Sequence, residues 1–157
     1  MGEFLVADTT IVASPHAIGH KIEMDRLSPE QRRALMARIR GKDTTPELKV
    51  RRTAHALGYR FRLHRRDLPG SPDLVFPSRW KVVFVHGCYW HRHDCPRGRF
   101  RPARNQEYWD HKFEKNVERD QKALEALRKG GWQPLVIWEC ETKNLDTLAD
   151  RLRGFLG

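Results

Sequence analysis

Asp73-Leu74-Val75-Phe76, Pro77-Ser78-Arg79 and Trp80-Lys81-Val82-Val83-Phe84-Val85 form the stretch that decides the fold. A short apolar run, a three-residue turn opened by proline and a longer run rich in valine predict two strands. The turn is too short for a crossover helix, so the pair must be an antiparallel hairpin. The second strand feeds straight into a run of histidine, cysteine and large aromatics, so whatever chemistry the chain carries sits at the end of that hairpin.

Working outward, the period changes from two to about 3.6 on both sides. From Gln106 to Lys129, Trp109, Phe113, Val117, Leu124 and Leu127 fall on one side of a helix that Gly130-Gly131 stops. Leu135-Val136-Ile137-Trp138 predicts a buried strand ending at Glu139-Cys140, and Leu145, Leu148 and Leu152 mark a closing helix. On the other side, Ser28-Pro29-Glu30-Gln31 has the capping pattern of a helix start, with Gly41 as its end. Thr45-Pro46-Glu47 repeats that logic for a second helix with a Val50, Ala54, Leu57 stripe, closed by Gly58. Tyr59, Phe61 and Leu63 then alternate with Arg60, Arg62 and His64, as in a half-buried strand with a positive outer face. The order ααβββαβα predicts an α/β fold, a mixed sheet flanked by helices. Residues 1–24 show no periodicity and read as a lead, an expression remnant or mobile arm, and residues 25–157 as one domain.

Val85 to Cys95 concentrates His86, His91, His93, Cys88, Cys95, Tyr89 and Trp90 directly after the hairpin. Cys88, Cys95 and Cys140 with one histidine of this run make a closed Cys3His set, which suits structural zinc, since no position is left for substrate. Spacing alone does not choose between His91 and His93. The bland alternative is three free thiols and surface histidines. A second set is Glu47, Asp73, His86 and His91. An acid at the head of one strand, with a backbone carbonyl of its hairpin partner, offers hard oxygen ligands for magnesium beside a phosphate, and the histidines can move protons. Against this stand a turn acid, a helix-dipole partner and zinc-binding histidines. Asp120 falls on the apolar stripe of its helix, so it is either a satisfied structural acid or a group that orients a histidine.

The 157 residues carry 30 Lys and Arg against 20 Asp and Glu, a net charge of +10, which favours a polyanion and nucleic acid above all. Arg97, Arg99, Arg101 and Arg104 lie in a stretch interrupted by Pro96, Gly98 and Pro102, expected to be a non-helical loop that tracks phosphates. Three cysteines, an odd number, argue for reduced ligands rather than a disulfide framework. With no basic leader and no span of membrane length, a cytoplasmic location follows as the expectation, with no membrane partner.

The stretches LPGSPDLVF, VVFVHGCYWHRHDC, EYWDHKFEKNVERD and VIWEC, in this order and spacing, resemble the very-short-patch repair (Vsr) endonucleases of the PD-(D/E)xK nuclease superfamily, over roughly residues 26–140. The resemblance implies a restriction-endonuclease-like fold with structural Zn2+ and catalytic Mg2+, and a monomeric, nucleoid-associated enzyme. Such an enzyme nicks double-stranded DNA 5′ to the thymine of a T:G mismatch, with mismatch-repair proteins as further partners. By this resemblance Asp73 and the backbone carbonyl of Val85 hold magnesium. His86 and His91 transfer protons and polarise the phosphate, Glu47 contacts water on the metal, and Asp120 orients a histidine. The zinc ligands become Cys88, His93, Cys95 and Cys140. Tyr89, Trp90 and Trp109 would enter the DNA stack beside the mispair, with Met36 inserted from the opposite groove.

The chain departs from the family's pattern at Val85, where threonine is expected, and at Arg92 and Asp94, where histidines are. Phe84-Val85-His86 stands in place of the superfamily's E-x-K. Two alternatives follow: a broader nicking or restriction nuclease without mismatch dependence, and a catalytically silent, zinc-stapled DNA-binding protein.

Overall fold

In a computed structural model, the structure describes residues 28–38 and 41–157. The expectation for residues 1–24 and the side chain of Met36 lie outside the described residues.

The first helix, α1 (Pro29–Arg38), starts as its sequence dictates: the Gln31 amide donates to Ser28 Oγ and the Ser28 amide to Gln31 Oε1, at 3.2 and 3.0 Å. The second, α2 (Thr45–Ala56), is capped one residue earlier than expected, by Thr44. A capping box needs its acid three residues inside the cap. Glu47 therefore selects Thr44, and each bonds the other's backbone amide at 3.4 Å.

The sheet has four strands in the order β1-β2-β3-β4: Arg62–Leu63, Leu74–Phe76, Lys81–His86 and Gln133–Trp138. The predicted hairpin is the β2–β3 pair, antiparallel, with Leu74 opposite Val83. Between β2 and β3 lies a 3-10 turn, Pro77–Arg79, and Trp80 leaves it with φ 52° and an exposed ring, so the strand starts at Lys81 rather than Trp80. The long crossover from β3 to β4 makes that pair parallel, Val85 beside Ile137 and His86 beside Trp138. It contains α3 (Pro96–Arg99) and α4 (Gln106–Lys129), and α5 (Leu145–Leu156) closes the chain.

Two further expectations fail. The Tyr59–His64 strand shrinks to Arg62–Leu63, both exposed, because β2 offers only three residues to pair and His64 turns away with φ 47°. Tyr59 and Phe61 still pack edge-on against Phe76, so the alternation reports burial but not a ladder. The arginine stretch expected to be non-helical opens with a turn of helix, because Pro96 occupies the first helical position, where its missing N–H costs nothing, and Cys95 caps it.

Side-chain alternation divides the sheet into two faces. Leu74, Phe76, Val83 and Ile137 meet Val50 and Ala54 of α2 and Leu148, Leu152 and Leu156 of α5. Val75, Val82 and Phe84 meet Leu127 of α4. His86, two residues after Phe84, points to the α4 face, and α4 carries Asp120. A third cluster, Tyr89, Trp109 and Phe113, pins the start of α4 over the loop that follows β3.

Candidate active site and metal centre

Antiparallel pairing brings the head of β2 beside the end of β3, so Asp73 stands next to Val85 although twelve residues separate them. Asp73 Oδ2 accepts a hydrogen bond from the Val85 amide at 2.7 Å. Burial pushes the Asp73 carboxyl up to about 6; the Val85 hydrogen bond opposes that rise and the nearby Glu47 charge adds to it. Asp73 and Val85 line a cleft of about 520 Å³ together with His64, His86, His91, Arg119 and Asp120. Gly70 lets the preceding loop press against α4: a Cβ there would lie 2.8 Å from that of Ala123.

Across the cleft, the His86 and His91 rings stack 4.0 Å apart. His91 Nδ1 bonds Asp120 Oδ2, and His86 Nδ1 stands 3.9 Å from the same oxygen. A carboxylate only accepts, so Nδ1 of His91 carries a proton, and in the neutral ring the lone pair lies on Nε2. Burial, then the neighbouring His91, press His86 down to about 4. Burial alone would raise the Asp120 carboxyl, but the His91 hydrogen bond and charge hold it below the ordinary range. One turn earlier on α4, Asn116 donates to the Trp90 carbonyl at 3.2 Å, tying the helix to the loop that carries His91. The motif reading of the sequence leaves Asn116 out, although its place four residues before Asp120 in KNVERD puts both on one helix face.

Cys88, His93, Cys95 and Cys140 bring their ligand atoms within 4.8 Å of one another. A tetrahedral zinc with Zn–S bonds of about 2.3 Å requires sulfurs about 3.8 Å apart. Three thiols and an imidazole converging so closely therefore fit a soft or borderline cation. His93, not His91, joins the cysteines, and its ring stacks on Trp138 at 4.4 Å. Burial pushes the Cys88 thiol up to about 12, which a bound cation would reverse. The loop closes so tightly that a Cβ on Gly98 would lie 1.9 Å from the His93 carbonyl and 2.8 Å from that of Cys88.

Glu47 is buried, and both its oxygens are engaged: Oε2 by the Thr44 amide and Oε1 by the Arg51 guanidinium, whose same Nη2 also meets His64 Nε2, 3.1 Å from Oε1. Glu47 is absent from the cleft wall, whereas His64, read in the sequence as an outer-face residue, lines it. No spacing signal announces His64, because its place follows from the kink after β1.

Tyr89 and Trp109 are each 1 % exposed, packed against Phe113, while Trp90 is half-buried with the Lys112 ammonium 5.7 Å above its ring. Arg97, Arg99 and Arg101 pair with Glu139, Asp94 and Asp110. Such pairs at a surface are weak enough to exchange for phosphate. Among the described residues no helix is long and apolar enough to cross a membrane.

Comparison with known proteins agrees with this geometry. The family model for DNA mismatch endonuclease Vsr matches residues 24–97. The chain is 54 % identical over 132 residues to the type II nicking enzyme V.XorIIP of Xanthomonas oryzae, covering 84 % of this chain and 96 % of that one. It is 38 % identical to the type II nicking enzyme V.NmeAIP of Neisseria meningitidis over 82 % of this chain and 91 % of that one. To the DNA mismatch endonuclease Vsr of Escherichia coli it is 37 % identical, over 73 % of each chain. A DNA endonuclease with a cleft of acid and histidine at the end of a hairpin, the chain belongs to the Vsr family.

Proposed function

We propose that this endonuclease nicks one strand of duplex DNA 5′ to the thymine of a T:G mispair, using Mg2+ at Asp73 and the Val85 carbonyl, and that residues 25–157 act as one unit. The observation that carries the reading is the Asp73–Val85 hydrogen bond at 2.7 Å, which sets a carboxylate beside the end of β3 in the same cleft as His86, His91 and Asp120. A divalent cation there supplies charge neutralisation and polarises the phosphate.

Hydrolysis of a phosphodiester requires one proton to leave the attacking water and one to reach the departing oxygen. His91 suits the first transfer, because Asp120 fixes its tautomer and stabilises the charge it gains, leaving Nε2 as the acceptor. His86, kept neutral by burial, polarises the phosphate through its N–H, and the departing oxygen takes its proton from solvent water. Glu47, with both oxygens engaged, acts by holding Arg51, which in turn holds His64, in place of the contact to water that the resemblance implies. Zinc at Cys88, His93, Cys95 and Cys140 fixes the loop that follows β3 and carries His91. Trp90 meets the mispair first, because Tyr89 and Trp109 reach a base stack only if their packed cluster opens.

The test is nicking of three radiolabelled substrates of one sequence, T:G duplex, matched duplex and single strand, with and without Mg2+. One cut, 5′ to the mispaired thymine and dependent on Mg2+, is expected. Equal cutting of matched duplex would favour a nicking enzyme without mismatch dependence, and binding without cutting would leave a silent DNA-binding protein.

A further inference from the structure

Arg51 donates from Nη1 to Asp43 Oδ1 at 2.6 Å and from Nη2 to Glu47 Oε1, and the same Nη2 lies 2.7 Å from His64 Nε2. A guanidinium has no lone pair to offer, so at that distance His64 Nε2 is the acceptor and the ring proton sits on Nδ1. Nδ1 in turn stands 3.9 Å from Asp73 Oδ1, too far to bond it, on a residue that lines the cleft with only 18 % of its side chain exposed. Asp43, Glu47 and His64 bring their ligand atoms within 4.8 Å, but the Arg51 guanidinium already bonds both carboxylates, a fixed cation where a mobile one would sit. His64 also adopts φ 47°, a backbone conformation uncommon outside glycine, and this kink turns its ring inward from the end of β1.

We propose that His64 is a third histidine of the active site, donating a hydrogen bond from Nδ1 to a non-bridging oxygen of the scissile phosphate, with Arg51 as the positioning residue that sets its tautomer. The proposal deepens the assignment of the cleft as the nicking site and rests on it. Asp73, the Val85 carbonyl and His64 would then hold one side of the phosphate while His86 and His91 face the other. A donor aimed at an oxygen that gains charge in the transition state accelerates the chemical step more than it tightens binding.

Single-turnover nicking should be measured on whichever duplex the wild-type protein cuts, so that a failure of mismatch dependence leaves the test intact. His64→Ala should lower the rate constant at saturating protein on the order of a hundred-fold with half-saturation nearly unchanged. His64→Asn, which keeps an N–H donor at the same distance from the backbone and suits the left-handed conformation, should recover most of that loss. His64→Gly should regain activity on addition of imidazole. Wild-type turnover by His64→Ala would overturn the proposal. So would equal losses in the alanine and asparagine variants at unchanged melting temperature, or glycine that imidazole fails to rescue. Asp73→Ala separates the two levels: nicking that survives it would overturn the assignment of the cleft itself, and not the role of His64 alone.

Discussion

A carboxyl group held to about 6 must surrender its proton before it can bind a cation, so the proposed magnesium site at Asp73 carries its own pH dependence. Burial is the main cause and Glu47 adds to it, so the neutral acid persists well above the usual aspartate range, which lies at about 4. Proton and cation then compete for one carboxylate. At limiting Mg2+ the nicking rate should rise with pH through about 6 and level off above it. Raising Mg2+ should move that rise to lower pH, because the cation favours the ionised form. Rate profiles at two Mg2+ concentrations check this, and a rise that stays in place would show that Asp73 does not hold the metal. His86 does not mimic the effect: its shift runs downward to about 4, so it is already neutral where Asp73 ionises.

Among the elements, the segment from Cys95 to Arg99 is tightly constrained. Cys95 Sγ accepts the Gly98 amide at 3.4 Å while facing the other thiols, and the backbone at Gly98 passes so near the His93 and Cys88 carbonyls that no side chain fits. Gly98→Ala must push the loop outward. It should lose zinc and about 1–3 kcal/mol of stability, the usual cost of overpacking. Metal content and thermal melting check it; one zinc per chain with wild-type melting would mean that the loop relaxes without disturbing the ligands. The need for a turn of helix here is hidden in the sequence by proline and glycine, which ordinarily interrupt helices yet serve at the first turn and at a close backbone approach. The hairpin and α4 are legible because alternation and helical period are local signals; the three cysteines of the Cys3His cluster are legible from ligand chemistry, and His93 enters it only through the family resemblance. The brevity of β1 and the position of His64 are not, since they depend on how much of β2 is free to pair. The cap at Thr44 is legible in principle, because Glu47 requires it three residues earlier.

For the whole molecule, a net charge of +10 draws in any duplex, so discrimination must come from elsewhere. Arg97, Arg99 and Arg101 of the crossover are already paired with carboxylates at the surface, and phosphate contacts of this kind are blind to sequence. For the proposed mispair recognition, the aromatic cluster between the Cys3His loop and α4 is the part of the molecule suited to sense a weakly stacked pair. Within it Trp90 is half-buried and the Tyr89 and Trp109 rings are sealed against Phe113, so Trp90 is the ring that can leave its packing at least cost. Its backbone carbonyl is tied to Asn116, on the same helix as Asp120. Replacing Trp90 with Ala should weaken binding to T:G duplex by about 1–3 kcal/mol, the worth of one base–aromatic stack. Matched duplex, held by phosphate contacts, should bind nearly as before and weaken steeply with salt. Titrations of both duplexes at one ionic strength, with a melting curve to confirm that the cluster stays folded, decide the matter. Equal losses on the two duplexes would return Trp90 to the packing of its cluster and leave mispair recognition to some other group.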